Sequence, residues 1–212
     1  MKRILIFGTS YINTADKQWL AEQWARVLKD KNPDCDLLIV DSASPMHIPS
    51  GVELFQFPDN IGHLMSTGRD GFGRAFCKGL DLAVERGYDA VAAIDADYLF
   101  MQPVRPIAEA IAGFASPPGP PYPWCELGIS FASCAWLKDS KLTTRYDWQH
   151  MSRDVFPEHR FRELAEPDFK WLYNLRGYRN DDGRVDLAQL DWLTHGPITT
   201  YKAFLTLHGY SV

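Results

Sequence analysis

Short apolar runs that stop abruptly at polar residues alternate with longer stretches of helical periodicity over the first hundred residues. Residues 4–7 are apolar and close on Gly8-Thr9-Ser10-Tyr11, which predicts a buried first strand with open backbone groups at its end. Thr14 is placed to cap a helix over about 15–29, where Trp19, Leu20, Trp24, Val27 and Leu28 form one apolar stripe. Pro33 ends it. Residues 37–40 predict a second strand leading into Asp41-Ser42, and residues 52–57 alternate as a third. A glycine-rich stretch over 67–74 opens a helix that runs to about Arg86. The run beginning at Ala90 is uniformly apolar up to Ile94, as in a strand covered on both faces. The order β-α-β-β-α-β predicts a three-layer α/β/α, Rossmann-like fold around a mixed sheet, as one domain over 1–212.

Beyond residue 103 the pattern is less regular. Pro103 and Pro106 flank the start of a helix over about 107–114. Five prolines in residues 117–123 predict an extended connector across 116–124. Residues 126–136 read as a strand. Short helices are expected over 157–164, 169–175 and 186–193, a turn over 179–184, and a last helix over 198–207 carrying Lys202.

The chemistry concentrates where the fourth strand ends. Asp95 and Asp97 stand at i and i+2, so on an extended backbone both carboxylates point to one side. Two such oxygen donors suit a hard divalent cation, Mg2+ or Mn2+, which in turn holds a diphosphate. Carboxyl ends of parallel strands are also where open α/β sheets bind ligands. Thr9, Ser10 and Asp41 stand at two further strand ends, and Tyr11 is placed to stack on a base. Arg69, Arg74 and Lys78 bring positive charge to the glycine-rich helix entry, a plausible phosphate cradle. A G-x-G-x-x-G fingerprint and a P-loop are both missing.

Composition narrows the setting. The net charge is -5 and the pI about 5.6, which argues against a nucleic-acid-binding protein but not against nucleotide binding. Cys35, Cys77, Cys125 and Cys134 have no metal-site spacing and read as reduced thiols of a cytoplasmic protein. The basic start precedes only four apolar residues, too few for a signal peptide, and no run approaches a membrane span. Seven Trp and nine Tyr exceed what core filling needs, so some are expected where sugars or bases stack.

The stretch Ala93-Ile94-Asp95-Ala96-Asp97-Tyr98-Leu99-Phe100-Met101-Gln102-Pro103 resembles the D-x-D region of the nucleotide-diphospho-sugar glycosyltransferases of the GT-A fold. The resemblance covers residues 4–103 well and 126–133, with Gly128, more weakly. It implies a nucleotide-sugar half over about 1–103 and an acceptor half over about 124–212. Asp97 would bind Mn2+ or Mg2+ directly, and Asp95 the metal, ribose or sugar. His195-Gly196 with Lys202 is similar to the family's metal-binding His and phosphate-binding Lys, with His208 as the competing third ligand. Thr9, Ser10 and Asp41 would correspond to the base and ribose pocket, and Arg69 and Arg74 to the diphosphate side. The implied partners are a UDP- or GDP-sugar donor and a saccharide, glycan or glycoconjugate acceptor, with polysaccharide assembly as a natural setting. An inverting enzyme needs a carboxylate base, for which Asp181, Asp182, Asp191, Glu126 and Asp154 are candidates; a retaining enzyme needs none. Trp124, Trp136, Trp148 and Tyr178 are the sugar-stacking candidates. The alternatives are a sugar-1-phosphate nucleotidyltransferase, whose G-x-G-T-R-type loop Gly8-Thr9-Ser10 lacks, and a non-catalytic nucleotide-sugar-binding module.

Overall fold

The structure, a computed structural model, describes residues 1–62, 69–119, 124–150, 155–179 and 186–212. Asp154, Asp181 and Asp182 lie outside the described residues, as do the side chains of Trp124 and Tyr178. The first strand β1 (Ile4–Ser10) pairs in parallel with β2 (Asp36–Asp41) on one side and with β4 (Ala90–Ile94) on the other. β3 (Glu53–Gln56) extends the sheet beyond β2. On the far side of β4 the chain adds β9 (Ile129–Ser133), then β6 (Phe114–Ser116), then β10 (Phe169–Trp171). β9 runs antiparallel to both its neighbours, so the seven-stranded sheet is mixed.

Helix α1 (Ala15–Lys31) starts at Thr14, whose hydroxyl accepts from the Lys17 N–H, and buries Leu20, Trp24, Val27 and Leu28. Helix α2 (Gly71–Glu85) buries Ala75, Phe76, Leu80 and Ala83. The two helices cover opposite faces. Phe7, Val40, Phe76, Leu80 and Val91 form one core cluster, and Ile6, Trp24, Leu28, Ile39 and Ala92 the other. Alternate residues of β1 thus feed both cores, the three-layer arrangement that the uniformly apolar runs predict. Each fully buried Phe or Leu contributes about 1.5–3 kcal/mol.

Several later elements differ from expectation. The helix expected over 107–114 is α3 (Val104–Ala110), and Phe114 begins β6. Pro106 is tolerated because first-turn N–H groups have no partner inside the helix. The proline-rich stretch is not wholly irregular: β7 (Pro118–Gly119) pairs with β8 (Trp124–Cys125). The strand expected over 126–136 is β9 alone. Ser133 then caps α4 (Cys134–Ser140) by accepting from the Trp136 N–H. A short helix α5 (Leu142–Arg145) and α6 (Pro157–Ala165) follow, the latter close to its expected range. Residues 169–175 are not helical: Phe169–Trp171 is the edge strand β10. Arg179 belongs to β11 (Gly177–Arg179) rather than to a turn. In place of a helix over 186–193 stand a single 3-10 turn, Leu187–Gln189, and β12 (Trp192–Thr194). β12 lies between β11 and β5 (Leu99–Phe100), in a small second sheet. The last helix, α7 (Ile198–Leu207), matches the expected range. Among the described residues, no helix is long and apolar enough to cross a membrane.

Candidate functional site

The chain leaves β1 toward β2 and β3, then returns to the other side of β1 as β4. This reversal opens a crevice outside the carboxyl ends of β1 and β4, the usual ligand position in open α/β sheets. A cavity of about 650 Å3 occupies it. Thr9, Ser10 and Tyr11 line it from β1, and Asp95 and Asp97 from the end of β4.

Glycine permits the close approach of these two strands. A Cβ on Gly8 would lie 2.7 Å from the Ile94 carbonyl and 2.9 Å from the Trp24 ring. In its absence the buried Trp24 indole reaches over and donates to the Ile94 carbonyl at 2.8 Å. Immediately beyond, the Thr9 hydroxyl donates to Asp95 Oδ1 at 2.6 Å, and the Thr9 N–H donates to the same oxygen at 3.3 Å. The D-x-D loop is thus fastened to the end of β1.

Asp95 is only 9% exposed. Burial, and next the Asp97 carboxylate, push its acid up to about 8, against the Thr9 hydrogen bonds that favour the ionised form. Asp95 therefore retains its proton up to about pH 8. Asp97 is less buried, and its backbone carbonyl accepts from the Tyr201 hydroxyl at 3.0 Å, which ties the loop to α7.

Tyr98 joins several parts of the site. Its hydroxyl donates to Glu126 Oε1 at 2.6 Å, and both residues are buried. Its ring stacks on Trp192 and meets the His195 ring edge-on, with centroids 6.0 and 6.1 Å away. It occupies the space that a Cβ on Gly128 would need, 2.4 Å from that point at its nearest. His195 lines the cavity in a left-handed conformation, φ 54°. For a residue other than glycine this costs about 1–2 kcal/mol.

Other expected residues stand elsewhere. Asp41 is fully buried beneath the cavity and accepts from Ser10 Oγ, Ser44 N and Gln56 Nε2 at 2.6, 2.7 and 2.9 Å, and from Ser44 Oγ. It fixes strand ends rather than facing the cavity. Arg74 is 8% exposed, paired with Asp59 at 2.9 Å and laid 4.0 Å over the Phe57 ring. Lys78 pairs with Glu85 at 3.6 Å. Lys202 is exposed and lies over the Trp19 ring. Arg69 is exposed, and none of these four basic side chains lines the cavity. Asp191 accepts from the Arg176 N–H at 2.6 Å and from the Gln102 side chain, both of them structural contacts. His208 packs on Phe204 away from the cavity lining. Trp136 packs against the core and donates to Asp168, and Trp148 packs near Arg74.

The cavity also includes residues that the sequence did not single out. Lys17 lines it from α1, Phe72 from α2, and Phe156 and Glu158 from the start of α6. Among the described residues, no three His, Cys, Asp or Glu side chains are clustered closely enough to hold a metal ion. The oxygen donors of Asp95 and Asp97 nonetheless fit a hard divalent cation. A bound cation would offset the burial, and next the Asp97 charge, that raise the Asp95 acid.

No protein-family model matches the chain. A curated relative, the undecaprenyl-phosphate mannosyltransferase of Micrococcus luteus, is 37% identical over 71 residues, which are 33% of this chain and 29% of that protein. The chain thus matches less than a third of that relative's length. Among solved structures, the apo form of glycosyltransferase GlyE from Streptococcus pneumoniae TIGR4 superposes with a TM-score of 0.62 and 14% identity, over 92% of this chain and 54% of that one. TarS of S. aureus with UDP-GlcNAc gives 0.59 and 11%, over 97% and 64%. The galactosyltransferase LgtC with donor and acceptor sugar analogues gives 0.55 and 11%, over 99% and 97%.

Proposed function

We propose, starting from a fold that is that of the GT-A glycosyltransferases, that this chain transfers a sugar from a UDP- or GDP-sugar to a hydroxyl of a saccharide or glycoconjugate acceptor, with a divalent cation. The observation that carries this reading is the pair Asp95 and Asp97, fastened through Thr9 to β1 and opening on a 650 Å3 cavity at the strand-order reversal. The partial relative named as a mannosyltransferase supports it, as do neighbours solved with UDP-GlcNAc or with donor and acceptor sugar analogues.

Asp95 and Asp97 would hold Mn2+ or Mg2+, and His195 also lines the cavity wall. When bound, the ion supplies positive charge to the departing nucleoside diphosphate. Thr9 keeps Asp95 oriented and favours its ionised form. Tyr11, 37% exposed at the rim, offers a ring face to the base. In the transfer, the bond from the anomeric carbon to the diphosphate oxygen breaks and its electron pair leaves with the diphosphate. The acceptor oxygen bonds to the anomeric carbon, which is oxocarbenium-like in between. The acceptor proton passes to a carboxylate or to water. Among the described residues, Asp70, Glu126 and Glu158 are the cavity acids outside the D-x-D pair, and of the expected bases that are described, Glu126 and Asp191, it is Glu126 that lines the cavity and is the candidate for this proton.

The test is release of nucleoside diphosphate from a panel of UDP- and GDP-sugars, with Mn2+ and a mixture of oligosaccharide acceptors. Release that depends on Mn2+ and is lost in Asp97→Asn is expected. Tight sugar-nucleotide binding without release would instead identify a binding module, and release of pyrophosphate from a nucleoside triphosphate and a sugar phosphate would identify a nucleotidyltransferase.

A further inference from the structure

The cavity's charge is unbalanced. Among the described lining residues are the acids Asp70, Asp97, Glu126 and Glu158, and the protonated Asp95. Lys17 is the one Lys or Arg among them. A nucleoside diphosphate entering this space brings further negative charge, so the contribution of that lysine matters.

Its position follows from α1. Lys17 and Ala21 are one turn apart and share a face of the helix. Ala21 packs with Ile12 against Ala96, the residue between the two D-x-D acids. The face of α1 that carries Lys17 is therefore laid on the D-x-D loop. The Lys17 ammonium lies 3.4 Å from the Tyr11 carbonyl and 5.9 Å from the Tyr11 ring centroid, at the cavity rim. It makes no ion pair with any described residue, whereas Arg74, Lys78 and Lys202 are engaged away from the cavity.

We infer that Lys17 binds the donor's diphosphate, the role that the resemblance implied for Arg69, Arg74 or Lys202. The inference rests on the nucleotide-sugar reading above. Lys17 leaves its carbonyl contact and donates to a phosphate oxygen, sharing the charge with the cation at Asp95 and Asp97.

The experiment is calorimetric titration of UDP and GDP, with Mn2+, into wild type, Lys17→Met and Lys17→Arg. The corresponding nucleosides are titrated in parallel. Because Lys17 is exposed, the variants are expected to melt with the wild type. Lys17→Met should weaken the diphosphate by about tenfold to a hundredfold, the range for hydrogen bonds to charged groups. Lys17→Arg should restore most of it, nucleoside affinity should not change, and the deficit should shrink in high salt. A Lys17→Met affinity within twofold of wild type overturns the inference. So does an equal loss for nucleoside and diphosphate, which would place the lysine at the base. If wild type binds neither diphosphate, the nucleotide-sugar reading falls and takes this assignment with it.

Discussion

Replacing Tyr98 by Phe removes one oxygen atom from the junction of the site. The ring can keep its stack on Trp192, its edge contact with His195 and its place against Gly128. What is lost is the 2.6 Å donation to Glu126, whose side chain is 2% exposed. Burial and the Glu126 carboxylate hold the Tyr98 phenol well above its ordinary value, so it remains a donor at any working pH. A hydrogen bond to a charged acceptor contributes about 1.5–3 kcal/mol. Taking about 2 kcal/mol, and about 2–4 °C per kcal/mol for a chain of this size, Tyr98→Phe should melt about 4–8 °C below wild type. Calorimetric melting of wild type, Tyr98→Phe, Glu126→Gln and the double variant closes a cycle that isolates the pair. A loss under about 1 °C, or strictly additive losses, would refute the claim that this bond anchors Glu126. Donor turnover should fall with it, while affinity for the bare nucleoside diphosphate should stay near wild type, because the Tyr98 hydroxyl donates to Glu126 and not to Asp95 or Asp97.

Gly128→Ala forces a methyl group against the Tyr98 ring and should cost about 1–3 kcal/mol, read as a lowered urea midpoint with unchanged slope. Asp41→Asn leaves several donors from Ser10, Ser44 and Gln56 poorly matched, and should cost about 2–3 kcal/mol in the same assay. Asp95 supplies a pH dependence. Its folded-state value, about 8, exceeds that of the unfolded chain, so between about pH 4 and pH 8 the folded form retains a proton that the unfolded form has lost. Its contribution to stability is present below pH 4 and declines as pH rises through that window. The melting temperature of wild type relative to Asp95→Asn should therefore fall from pH 5 to pH 8 in EDTA and fall less in Mn2+; a flat difference in both would contradict the placement of the two carboxylates.

The first half of the fold was legible because each element there carries a single period. The runs at 4–7, 37–40 and 90–94 are apolar on both faces, and Thr14 marks the start of α1. Past residue 103 the periods mislead. Phe169, Leu172 and Leu175 repeat at helical spacing, yet Phe169 pairs with Phe114 at a sheet edge while the two leucines pack on the opposite core. In the run 129–137 apolar residues continue across the strand-to-helix change, and only Ser133 signals it. The site divides in the same way. Thr9, Ser10, Tyr11, Asp95 and Asp97 sit at strand ends that the pattern locates, and they meet. Glu126 and His195 also reach the cavity, although the second half was poorly resolved from sequence. Arg74 looked like a phosphate ligand by charge and glycine-rich context, but Asp59 and two aromatic rings enclose it. Lys17 and Glu158 had no sequence signal: one is a routine helix lysine and the other a first-turn acid. Only the packing of α1 on Ala96 and the direction of α6 bring them in.

The central claim is that Asp95 and Asp97 hold a cation that in turn holds a nucleoside diphosphate. Calorimetric titration of UDP and GDP, each with and without Mn2+, into wild type and Asp97→Ala tests it most directly. The account predicts binding of one of the two diphosphates that requires Mn2+ and is lost in Asp97→Ala. Binding indifferent to Mn2+ or to the substitution, or no binding of either diphosphate by folded wild type, would contradict it.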